Sequence, residues 1–132
     1  MMIDHISLAV SDLARAARLY EAALAPLGQT RLVATATRVA FGGKYPEVWL
    51  NVRPDMPAIA LDTGAHVCLR ARSVEKVDAF HAAALANGAI DDGTPGLRQA
   101  TQVTYYAAFI RDHDGNRLEV MTVPPASERQ SQ

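Results

Sequence analysis

An α+β fold built from two successive βαβββ modules is predicted by three features of this sequence. When His5 is laid on His66, the segment from His5 to Gly28 aligns without a gap on the segment from His66 to Ala89. Both segments open with a short, β-branched-rich run and continue into a helical pattern. Behind each helix come further runs of strand character, separated by Gly, Asn and Asp. In the alignment Leu8 falls on Leu69 and Ala22-Ala23-Leu24-Ala25 on Ala83-Ala84-Leu85-Ala86, while Ile6/Val67, Leu13/Val74 and Leu19/Phe80 are similar pairs.

The opening strands are expected over His5 to Val10 and His66 to Ala71, where apolar residues roughly alternate. Ser11 or Asp12 can cap the first helix, whose apolar positions Leu13, Ala16, Ala17, Tyr20, Leu24 and Leu27 recur at helical spacing before Gly28 ends it. Ser73 can cap the second, with Val74, Val77, His81, Ala84 and Leu85 on one stripe and Asn87-Gly88 as a left-handed stop. Strand-like runs follow from Arg31 to Phe41 and from Glu47 to Val52, turned at Gly42-Gly43. Their later counterparts run from Val103 to Ile110 and from Arg117 to Val123, turned at residues 112–116, where Gly115 and Asn116 suit positive φ. The stretch from Arg53 to Gly64, rich in Pro, is the expected linker. One domain is thus expected over residues 1–123, as modules of about 1–57 and 64–123, with a flexible polar tail at 124–132.

With 132 residues, 49% of them hydrophobic, the chain is long enough to bury a core of its own. A formal net charge of −1 offers no electrostatic footprint for nucleic acid or an anionic membrane, so a small-molecule partner is expected instead. Cys68 is the one cysteine, which excludes an intrachain disulfide and a zinc-thiolate cluster and suits a reducing cytoplasm. The opening Met-Met-Ile-Asp-His-Ile lacks a basic segment with a long apolar run, and no stretch approaches the roughly 18 apolar residues of a membrane span. A cytoplasmic location is the expectation.

The candidate chemistry lies in His5, His66 and Glu119. The two histidines occupy equivalent places in the repeated unit, and Glu119 interrupts the apolar run Leu118-Glu-Val-Met121, where an unpartnered carboxylate would be costly. Two imidazoles and a carboxylate on one divalent ion leave open coordination positions, as Lewis-acid chemistry or oxygen activation requires. Zn, Ni, Mn and Fe(II) are all admitted by such a set. By strand parity Ser7 lies beside His5, Cys68 beside His66, and Arg117 and Met121 beside Glu119. His81, on a helix, and His113, in a tight turn, are expected at the surface.

The runs Asp4-His-Ile-Ser-Leu-Ala-Val-Ser-Asp-Leu13, Gly64-Ala-His-Val-Cys-Leu69 and Asp112-His-Asp-Gly-Asn-Arg-Leu-Glu-Val120 resemble the vicinal oxygen chelate superfamily. That superfamily includes glyoxalase I, fosfomycin-resistance thiol transferases, bleomycin-resistance proteins and extradiol dioxygenases. The resemblance implies a curled mixed sheet forming an open cup around one metal ion, often completed by a second subunit, hence a homodimer. It places His5, His66 and Glu119 at the metal, with Glu119 also the catalytic candidate, and puts Trp49 nearby. Glyoxalase I carries a further carboxylate in the last strand of the first module; Val48-Trp-Leu-Asn-Val52 has Trp49 or Leu50 there instead. Further substrate-binding candidates are Arg98, in a loop after Thr94-Pro-Gly-Leu97, one of Tyr105 and Tyr106, and Cys68. The implied activity is a glyoxalase-like metal-dependent enzyme acting on a substrate that chelates through neighbouring oxygens. The rivals are a sequestering protein of the bleomycin-resistance type, a thiol transferase and an extradiol dioxygenase.

Overall fold

The computed structural model describes residues 2–129; Met1 and the last three positions of the expected tail lie outside the described residues. The first module runs β1 (Ile6–Val10), α1 (Leu13–Leu24), a 3-10 turn (Ala25–Leu27), β2 (Thr30–Ala34), β3 (Arg38–Gly42) and β4 (Val48–Val52). The second runs β5 (Val67–Arg70), α2 (Val74–Ala86), β6 (Ile90–Gln99), β7 (Thr104–Arg111) and β8 (Arg117–Thr122). Each module is its own mixed sheet, ordered β1-β4-β3-β2 and β5-β8-β7-β6. In both, the opening strand lies parallel to the closing one while the other pairs are antiparallel. The predicted duplication is therefore a duplication of topology.

Both caps form as the side chains dictate. Asp12 accepts from the Arg15 amide at 3.0 Å and Ser73 from the Lys76 amide at 3.2 Å, each satisfying a donor that the first helical turn leaves open. The helices pack against each other and against one face of each sheet. Alternation sends Val48 and Leu50 of β4, Val39 and Phe41 of β3, and Leu118 and Val120 of β8 into that core. Tyr20, Leu19 and Leu24 of α1 and Val77 and Phe80 of α2 meet them there. Burying each such large side chain is worth roughly 1.5–3 kcal/mol. The other faces of both sheets stay open, and it is these that carry the polar residues.

A turn joins the modules. Asp112, 2% exposed, accepts from the Tyr20 hydroxyl at 2.7 Å, from the Asp114 amide at 3.0 Å and from the Asn116 amide at 2.9 Å. Asp114 in turn accepts from the Ser11 amide at 3.0 Å, and the Asn116 side chain donates to the Ala9 carbonyl at 2.9 Å. Gly115 takes the expected positive φ of 96°, but Asn116 does not; it serves through its side-chain amide. The turn that closes the second sheet thus clamps the start of α1 and the end of β1.

Three expectations are corrected. The run from Arg31 to Phe41 is two strands, not one, because Thr35 accepts from the amides of Thr37 and Arg38 at 3.3 and 3.1 Å and turns the chain. The loop expected at Thr94-Pro-Gly-Leu97 and Arg98 is instead part of Ile90–Gln99, the longest strand among the described residues. It stays in the sheet by slipping register between Asp91 and Gly93 and again before Gly96, so its Gly and Pro fall at bulges. His81 is buried rather than at the surface, and its Nε2 meets Asp91 Oδ1 at 3.0 Å, tying α2 to β6. The described part of the expected tail is a hydrogen-bonded turn, in which the Arg129 side chain donates to the Pro124 carbonyl at 2.7 Å. No helix among the described residues is long and apolar enough to cross a membrane.

Candidate functional site

Register decides which side chains share the open faces. On the second sheet Cys68 pairs with Glu119, Phe109 with Glu119 from the other side, and Arg98 with Tyr105. These side chains, with Met121, project on the face away from α2. Tyr105 is therefore the tyrosine of the open face; Tyr106 points the other way and donates to Asp78 of α2 at 2.7 Å. Arg98 lies on β6 rather than in a loop, and its guanidinium donates to the Thr94 carbonyl at 2.7 Å.

Glu119 is the centre of this face. It is 6% exposed, and its Oε1 lies 3.1 Å from His66 Nε2. The His66 ring stands edge-on to Phe109 at 5.6 Å, and the Arg117 guanidinium covers that ring at 4.4 Å, itself held by Asp92. Cys68 keeps an exposed surface, but its thiol lies against Glu119 and is pushed up to about 12, by desolvation first and by the carboxylate's charge second. The Tyr105 phenol is raised for the same reasons, desolvation first and the Glu119 charge second. Both groups stay protonated at neutral pH. They are donors toward Glu119, not nucleophiles.

The first sheet repeats the layout with other side chains. Ser7 pairs with Trp49 as Cys68 pairs with Glu119, so Trp49, not Leu50, stands where the second module has its carboxylate. Asn51, two residues on, donates to the Ser7 hydroxyl, and Arg38 lies across from Asn51 on β3. These surround an open cavity of about 900 Å³ that His5 also lines. His5 Nδ1 meets Asp4 Oδ2 at 2.7 Å, which leaves Nε2 free in the manner of a histidine oriented for a metal. A smaller cavity of about 350 Å³ lies between the facing edges of β1 and β5, with His5 and Cys68 both on its wall.

The structure thus brings His66, Glu119, Cys68 and Tyr105 together, with Arg98 paired to Tyr105, and puts His5 and Trp49 at the other sheet's open face. Among the described residues no group of three or more His, Cys, Asp or Glu side chains is arranged to hold a metal ion. Sequence reasoning missed Arg38 and Asn51. Parity along Val48-Trp-Leu-Asn51 would have found Asn51, whereas Arg38 needed the register of β3 on β4.

The sequence pattern of the glyoxalase/bleomycin resistance protein/dioxygenase superfamily matches residues 2–120. The chain belongs to that superfamily. Among solved structures, a glyoxalase/bleomycin resistance protein from Albidiferax ferrireducens T118 is similar, with 29% identity, a TM-score of 0.80, and 92% of this chain and 98% of that one covered. The fosfomycin resistance protein FosX from Listeria monocytogenes shares the fold at 18% identity and TM-score 0.64, covering 98% of both chains. A variant of FosX, complexed with Mn(II) and 1S,2S-dihydroxypropylphosphonic acid, matches at 16% identity and TM-score 0.67, with 96% of this chain and 93% of that one covered. No curated protein matches the chain.

Proposed function

We propose that this protein is a glyoxalase-like metal-dependent enzyme whose small substrate chelates one divalent ion through neighbouring oxygens. The observation that carries the proposal is the buried Glu119 carboxylate facing His66 Nε2 at 3.1 Å on an open sheet face. A carboxylate and an imidazole this close are two donors of the expected set, and both suit Zn, Ni, Mn or Fe(II). Ligands of one ion sit about 2 Å from it and so within roughly 4 Å of one another. His5 does not join the pair within one chain, and we assign it to the pair of a second copy, in a homodimer. Met2 and Ile3, exposed apolar residues beside His5, suit burial in such a contact.

In this reading His5, His66 and Glu119 hold the ion, and its Lewis acidity polarises the substrate's neighbouring oxygens. Glu119 is the catalytic candidate because it is the buried carboxylate that faces His66. Tyr105 and Cys68, protonated at neutral pH, orient it and offer hydrogen bonds to a substrate oxygen. The rival reading is a sequestering protein that binds the same ligand unchanged, and one observation favours it: Trp49 removes the carboxylate that glyoxalase I uses for proton transfer. Elemental analysis of protein purified without added metal tests the proposal. About one divalent ion per chain, lost in His66→Ala and Glu119→Ala, is expected. A wild-type protein that stays metal-free after reconstitution with Zn, Ni, Mn and anaerobic Fe(II) would sink it.

A further inference from the structure

We infer that the open face of the first sheet is a receptor for a small organic anion with a flat apolar body, gripped by Arg38 and Lys44 over the rings of Trp49 and Tyr45. The inference rests on the reading above that this face takes a small molecule, and it names the class. The cavity, about 900 Å³, falls in the range of small-molecule sites. Its two cations are each set on an aromatic ring: the Arg38 guanidinium lies 5.6 Å from the Trp49 centroid and the Lys44 ammonium 5.5 Å from that of Tyr45.

Neither cation has an ion-pair partner among the described residues. Arg31 pairs with Glu21 at 2.7 Å and Arg111 and Arg117 pair with Asp92, whereas Arg38 and Lys44 rest on rings. The carboxylates on the cavity wall are occupied by other neighbours: Asp4 meets His5 at 2.7 Å, and Glu47 accepts from the Gln29 amide at 3.2 Å. Asn51 donates to Ser7, so these two satisfy each other. Arg38 and Lys44 are thus the cations this face offers a ligand, beside the Trp49 indole N–H and the Tyr45 hydroxyl. A guanidinium presents a fork that fits a carboxylate or a phosphonate in two parallel bonds.

Trp49 is the chain's one tryptophan, so its fluorescence reports on this face alone. The experiment titrates the metal-loaded protein with benzoate, phenylphosphonate and neutral benzamide. Saturable change with both anions and at least about tenfold weaker binding of benzamide is expected. Arg38→Gln should weaken benzoate by about tenfold and Lys44→Gln by less, with far-ultraviolet circular dichroism and melting temperature unchanged as a check on folding. Benzamide binding as tightly as benzoate, or Arg38→Gln leaving benzoate unaffected, overturns the inference; response to only one of the anions narrows the class to that group. The titration is repeated on Glu119→Gln. Benzoate binding that persists there while the wild type takes up no metal would sink the metalloenzyme and leave the receptor standing, whereas a metal-loaded protein blind to both anions would sink the receptor alone.

Discussion

The two sheets share a plan and differ in what they turn outward. Their helix-facing positions are interchangeable, Val48 and Leu50 in one matching Leu118 and Val120 in the other. Their open positions are not: an indole beside Ser7 in the first module stands where a carboxylate beside Cys68 stands in the second. The core accepts any well-packed apolar residue, so duplication preserves it. The open faces are free to diverge, and here one has become an aromatic surface that carries Arg38 and Lys44 and the other a buried acid beside His66.

The sharpest way to break that comparison is to remove the acid. Glu119→Ala is expected to abolish metal uptake and to destabilise the fold by roughly 1–3 kcal/mol, since His66, Cys68 and Tyr105 lose their shared acceptor. Elemental analysis and urea unfolding read the two effects. The joint between the modules comes next. Asp112→Ala strands the Tyr20 hydroxyl and the amides of Asp114 and Asn116, and a loss of about 3 kcal/mol is expected by the same unfolding assay. Trp49→Glu would make the two faces alike; benzoate binding should fall by about tenfold or more while metal uptake persists, as titration and elemental analysis would show.

The smallest effect is a pH dependence confined to the second face. Burial raises the Cys68 thiol from 9.0 to about 12, so the folded chain holds that proton more tightly than the unfolded one. The associated stability is complete below pH 9.0 and is lost as pH rises toward about 12. Alkylation of Cys68 should accordingly be slow at neutral pH and accelerate on going to alkaline pH. Glu119→Gln removes the second cause of the shift and should move that acceleration to lower pH; an unchanged profile would show that desolvation alone sets it.

Much of this was legible before any coordinates. The repeat marked His5 and His66, and parity put Cys68 beside His66 and Arg117 and Met121 beside Glu119; the strand register then sets Cys68 opposite Glu119. What escaped was whatever depends on pairing across strands. β6 was hidden because Gly and Pro signal loops unless bulges absorb them, and that misplaced Arg98. Alternation alone could not choose between Tyr105 and Tyr106, since it says that neighbours oppose each other but not which faces the helix. Arg38 stacks on Trp49 because β3 and β4 meet in one register, and a one-residue slip would have sent it to the core side.

The central claim is that the donors of the two modules meet on one ion across two copies of the chain. It is tested most directly by co-expressing His5→Ala and Glu119→Ala chains with different tags, isolating the mixed dimer and measuring its metal. Each parent dimer should hold none. The mixed dimer retains one intact set, His5 from one copy with His66 and Glu119 from the other, and should recover about half an equivalent per chain. A mixed dimer as empty as its parents, beside a loaded wild type, would contradict the account.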